Sequence, residues 1–93
     1  MVNTKSSGID EKKIAMIVCS MDGKKDHSSK KDILFQIIKE TKCLPGEAEE
    51  IFDQMKKLGL DICMIETAEL FGDFNPKYSL RRFGIMRGYL EEA

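Results

Sequence analysis

Four side chains in this sequence have the chemistry to hold a soft metal ion: Cys19, His27, Cys43 and Cys63. Thiolate and imidazole suit zinc, but structural zinc sites draw their ligands as close pairs in the chain, whereas the separations here are eight, sixteen and twenty residues. That mismatch predicts no metal and no cofactor. An odd number of cysteines with no C-x-x-C pair predicts reduced thiols of a cytoplasmic protein and not a disulfide framework. His27 is the only histidine, so it has no partner for an acid–base pair or a nucleophilic triad that the sequence can point to. A Gly-rich phosphate loop, G-x-S-x-G and H-E-x-x-H are all missing, and the reading is a binding protein, not an enzyme.

The remaining chemistry is ionic. Net charge is −1 over 93 residues, which argues against a surface that grips nucleic acid on every side. The distribution says more than the sum. Lys24, Lys25, Lys30 and Lys31 form one basic cluster, Lys77, Arg81, Arg82 and Arg87 form another, and Glu47, Glu49, Glu50 and Asp53 lie between them.

The elements that must position these charges centre on residues 28–60. Ile33, Leu34, Ile37 and Ile38 recur at helical spacing, as do Ala48, Ile51, Phe52, Met55 and Leu58, and Cys43-Leu44-Pro45-Gly46 breaks the two stretches. Pro45 suits a first helical position, and Ser29 with Asp32 resembles a capping box. Before this pair, Asp10 is a candidate N-cap for a helix to about Met21 with Ile14, Ile17, Val18 and Met21 inward. A buried strand over residues 14–19 is the alternative. Residues 22–29 read as a loop or a very short strand.

After Gly59 the period changes. Leu60, Ile62 and Met64 alternate with Asp61, Cys63 and Ile65, which predicts a strand, with Tyr78-Ser79-Leu80-Arg81 as its antiparallel partner. Gly72-Asp73 and Asn75-Pro76 predict a hairpin tip between them, near which Leu70, Phe71 and Phe74 are expected to fold back on the body or meet a second subunit. Phe83, Met86, Tyr89 and Leu90 predict a last helix over residues 83–92, weakened by Gly84 and Gly88. The alternative starts that helix at Asn75-Pro76 and removes the second strand. Residues 1–8 read as a disordered tail and residues 9–93 as one domain with a single core.

Taken in order, residues 10–92 resemble a winged helix-turn-helix domain: mainly α with a small β-hairpin, built from a three-helix core, a two-stranded wing and a C-terminal helix. Ser29 to Leu34 resembles the start of the family's second helix, and Leu44 to Leu60 resembles its recognition helix and exit. Lys77 through Gly84 to Leu90 resembles the "Y-x-L-T-x-x-G…L" ending of small archaeal and bacterial winged-helix transcriptional regulators, with Arg81 where threonine is usual. The resemblance implies a third helix in the major groove of double-stranded DNA, with phosphates held by the wing and by helix N-termini.

On this reading Lys30, Lys31, Lys77, Arg81 and Arg82 hold phosphates, while Gln54 and Lys57 supply base readout. Met86, Tyr89 and Leu90 are expected to join two copies in a homodimer, because a short apolar helix needs tertiary cover. The alternative is a protein–protein interaction module whose acidic third helix meets a basic partner. The absence of a long apolar run or a leader pattern predicts a cytoplasmic protein with no membrane span.

Overall fold

A computed structural model describes residues 10–21, 27–65 and 76–91. The predicted tail, Lys24, Lys25 and the predicted hairpin tip with Leu70, Phe71 and Phe74 lie outside the described residues.

Asp10 opens the first helix, α1 (Glu11–Met21), where its carboxylate accepts the Lys13 N–H at 3.1 Å and satisfies a donor that the helix leaves over. Ile14, Ile17, Val18 and Met21 are buried along one stripe. A strand over the same residues would have pointed Ile17 and Val18 to opposite faces.

Strand β1 (His27–Ser29) leads directly into α2 (Lys30–Thr41). Ser29 is both the end of the strand and the helix cap, its Oγ accepting the Asp32 N–H at 3.2 Å. Lys42 closes α2 in the left-handed region at φ 59° and donates its N–H to Ile38 at 2.8 Å. Three residues later α3 (Pro45–Lys57) begins. Its first turn is tied by Glu47, whose carboxylate accepts the Leu44 N–H at 3.0 Å. Ala48, Phe52 and Met55 are buried between α2 and the sheet, and Ile51 and Leu58 pack at the margin.

Beyond Gly59 the structure departs from the predicted strand over residues 60–65. Residues Leu60–Cys63 form a 3-10 turn and only Met64–Ile65 is strand, β2. The three-residue period buries Leu60 and Cys63 together and leaves Ile62 77% exposed, the reverse of what alternation required.

The partner strand is also shorter than predicted, β3 (Lys77–Ser79), and it carries two neighbours. The sheet order is β1-β3-β2, all antiparallel, so the β-structure is three-stranded and not a simple two-stranded hairpin. Leu80 and Arg81, expected on the strand, already belong to the last helix, α4 (Leu80–Arg87). Ser79 caps it by accepting the Arg82 N–H at 3.1 Å, which supplies the cap two residues ahead of Arg81. Lys77–Ser79 is strand, which rules out the alternative of a helix running from Asn75-Pro76, and the last helix starts at Leu80, three residues ahead of the predicted Phe83.

The helix also stops early. Gly88 adopts φ 81°, where a side chain would be strained, and the chain doubles back so that Tyr89 and Gly88 donate to the carbonyls of Gly84 and Ile85 at 2.7 and 3.1 Å. This turn lays Leu90 against Gly84. A Cβ at Gly84 would lie 2.6 Å from Leu90 Cδ1 and 2.8 Å from Val18 Cγ1, so the glycine lets α4 sit close against Val18 of α1.

The described chain is thus mainly helical with a small antiparallel sheet around one core, and Phe52 and Phe83 are its largest fully buried side chains. Gln36 is an unpredicted polar member at its edge, donating to Ser20 at 2.8 Å and to Glu40 at 3.1 Å. Among the described residues no helix is long and apolar enough to cross a membrane.

Candidate functional site

Lys30 and Lys31 stand at the first turn of α2 because Ser29 caps it there. Ser29 lies opposite Lys77 in the β1–β3 register. That pairing gathers three cations, two from a helix start and one from a strand some forty-five residues later, at one end of the sheet. Beside them is a cleft of about 580 Å³ lined by Ser29, Lys30, Lys31, Leu34, Glu49, Pro76 and Tyr78.

One wall is aromatic and rigid. Tyr78 is buried and meets Phe52 edge to face, with ring centroids 5.5 Å apart at 79°. The Lys30 ammonium sits 5.4 Å from the Phe52 centroid, and that of Lys56 sits 5.9 Å away, both within cation–π range. Lys30 also pairs with Glu49, Nζ to Oε1 at 3.1 Å. With side chains 48% and 50% exposed, this pair is screened by water and is worth about 0–1 kcal/mol. Lys30 is therefore held in place but not locked.

The other predicted DNA contacts are spread further. Arg81 and Arg82 are exposed, but they sit in the first turn of α4 and not on a wing. Arg82 is near enough to Cys63 for its charge to favour the thiolate, against the burial that pushes the Cys63 thiol up from its ordinary value. Gln54 is half-buried and Lys57 exposed, both in the second half of α3, roughly 7.5 and 12 Å along the helix axis from Glu49 at its 1.5 Å rise. Lys57 shares a shallow depression of about 280 Å³ with Asp53, Lys56 and Asp61. The solvent face of α3 ahead of it carries exposed Glu47, Glu49, Glu50 and Asp53. Base readout would thus fall to the far end of an acidic helix.

The three expected dimer contacts part company. Met86 is 47% exposed and lies over Gly59. Tyr89 and Leu90, expected on the helix beside it, follow the Gly88 turn and pack onto their own chain. The Tyr89 ring meets Phe83 edge on at 6.0 Å, and its hydroxyl donates to Glu11 at 2.8 Å. Arg87 reaches the same Glu11 oxygen at 2.9 Å. The Arg87 hydrogen bond, then that of Tyr89, hold the Glu11 carboxyl below its ordinary value, and Glu11 raises Arg87 in turn. Tyr89 is pushed up, first by burial and then by its bond to Glu11. A cluster joining the start of α1 to the end of α4 was invisible in the pattern, since its members are seventy-six and seventy-eight residues apart.

The cysteines fall on three different segments of the fold. Cys19 is on α1, Cys43 in the turn between α2 and α3, and Cys63 in the 3-10 turn, and all three are free thiols. Among the described residues no group of three or more His, Cys, Asp or Glu side chains could hold a metal ion.

Two contacts had no signal in the sequence. Lys56, at i+4 from Phe52, places a second ammonium on that ring. Glu49 looked like one more solvated carboxylate until the α2–α3 crossing brought it to Lys30. Comparison with protein-family models, curated protein sequences and solved structures finds no match to this chain.

Proposed function

We propose that this chain is a winged helix-turn-helix protein that binds double-stranded DNA through phosphate contacts and acts as a cytoplasmic transcriptional regulator. The observation that carries the reading is the register of Ser29 with Lys77, which brings the backbone of Lys77 to the end of the sheet where α2 starts with Lys30 and Lys31. Helix, helix-turn-helix, two adjoining strands and a closing helix, in that order, support the winged-helix arrangement.

Duplex DNA presents a regular row of phosphates, and lysines at a strand end and a helix start reach them without entering a groove. The carboxylates on α3 oppose deep insertion of that helix, since they repel phosphate and can accept only from cytosine amino groups. Affinity therefore comes from Lys30, Lys31, Lys77, Arg81 and Arg82, and Gln54 and Lys57 read at most a base or two. Such binding is modest in strength, steep in salt and broad in sequence. In a homodimer the open side of α4 at Met86 is the contact available to a second copy.

The protein-interaction reading has its own observation, the exposed row Glu47, Glu49, Glu50 and Asp53 on α3. A double Arg81→Ala, Arg82→Ala variant separates the two. Under the DNA reading it loses affinity on every duplex and flattens the salt dependence; under the other it leaves binding to a basic protein partner intact.

A further inference from the structure

Lys30 meets a carboxylate in the free protein at the position where the DNA reading needs it to meet a phosphate. Three features of the site bear on this. Phe52 is 1% exposed and braced by Tyr78, so the surface under the ammonium is fixed whatever its counter-ion. Lys31 lines the same cleft as Lys30 and Glu49, so two lysines there face one carboxylate. The Glu49 oxygen is 3.1 Å from Lys30 Nζ in a pair about half exposed to water, close enough to hold it and weak enough to exchange.

We propose that Glu49 is an internal stand-in for phosphate: it keeps Lys30 oriented and neutralised in the free protein, and a polyanion must displace it to bind. The inference rests on the DNA reading and adds to it a threshold. A ligand with a single charge gains little by exchanging one anion for another at Lys30. A phosphate backbone that also engages Lys31 and Lys77 gains several contacts at once and wins the exchange. Glu49 thus selects for extended polyanions over small ones, and its own neutralisation would release the restraint.

The test is fluorescence anisotropy with a labelled duplex of arbitrary sequence, across a salt series, for Glu49→Gln, Glu50→Gln, Lys30→Gln and the double Lys30→Gln, Glu49→Gln variant. Glu50→Gln changes the net charge equally, and Glu50, also exposed on α3, makes no ion pair with a described residue. Glu49→Gln is expected to tighten binding at about 50 mM salt by about two- to fivefold more than Glu50→Gln does, in keeping with a freed surface ion pair. The slope of log K against log salt should stay close to that of wild type, because Lys30 neutralises the same phosphate once Glu49 is displaced. In the Lys30→Gln background the extra gain should vanish. If wild type binds DNA but Glu49→Gln and Glu50→Gln behave alike, the stand-in role is wrong and the DNA reading survives. If no variant binds DNA, both fall together.

Discussion

Gly84→Ala is the sharpest probe of how α4 seats on α1. In an exposed helix this substitution gains about 1 kcal/mol, because alanine is the better helix former. At Gly84 the added methyl would stand 2.6 Å from Leu90 Cδ1, 2.7 Å from Leu90 Cγ and 2.8 Å from Val18 Cγ1, all below van der Waals contact. The Leu90 main chain is held, since its N–H and that of Tyr89 are both bound to the Gly84 carbonyl, at 3.1 and 2.7 Å, so relief must come from rotation of the Leu90 and Val18 side chains within the packed site. Forcing one extra methyl into a packed site costs about 1–3 kcal/mol. Set against the helix gain, the net expectation is a loss of about 1 kcal/mol, or a fall of about 4–8 °C in the thermal midpoint of a domain this size. Urea titration followed by far-UV circular dichroism would measure it, with Gly88→Ala as a second variant that is strained by its positive φ but meets no atom within 4 Å. A rise in midpoint for Gly84→Ala would refute the close approach of α4 to α1.

The other variants probe the cluster at Glu11, the subunit contact and the thiols. Because Glu11 is held below its ordinary carboxyl value of 4.5, it contributes stability above that pH and loses it as pH falls through the depressed value; Glu11→Gln should flatten this part of an acid-unfolding profile while leaving the neutral-to-basic part similar in shape. If the protein is a homodimer through α4, Met86→Asp should shift its light-scattering mass toward the monomer with little change in thermal midpoint, whereas a monomer mass for wild type at high concentration would remove the dimer. Tyr89→Asp is unsuited to that question, since it would place a carboxylate beside Glu11 and unfold the C-terminal turn. Protein purified without chelator should hold well under one zinc per chain by elemental analysis, and a stoichiometric metal lost on Cys43→Ser would overturn the reading of the cysteines.

The helices were legible because each signals itself within a few residues. Asp10, Ser29 and Pro45 mark starts by local hydrogen bonding or a missing donor, and the stripes from Ile14 to Met55 follow the helical period. The strands were not, because they are two or three residues long and most of their pairing is set at a distance. Leu60 to Ile65 alternates as a strand would, but a 3-10 turn satisfies the same apolar residues with Leu60 and Cys63 inward. The C-terminal turn was missed because Gly88 was read as a weak helical residue, when its positive φ ends the helix and redirects Tyr89 and Leu90 inward. For the site, residue types were readable and their grouping was not. Lys77 joins Lys30 and Lys31 only through strand register, while Arg81 and Arg82, adjacent in sequence to that strand, are carried off on α4.

DNA binding is decided by the salt dependence of duplex affinity for wild type and Lys31→Gln. A dimer that neutralises about four to six phosphates should give a slope of log K against log salt near −4 to −5, at about 0.9 per phosphate. Lys31→Gln should flatten it by about 0.9 per chain and weaken binding equally on unrelated duplexes, with an unchanged thermal midpoint. No binding by wild type at about 50 mM salt, together with loss of a captured protein partner in Glu50→Gln, would contradict the DNA reading and leave the acidic face of α3 as the working surface.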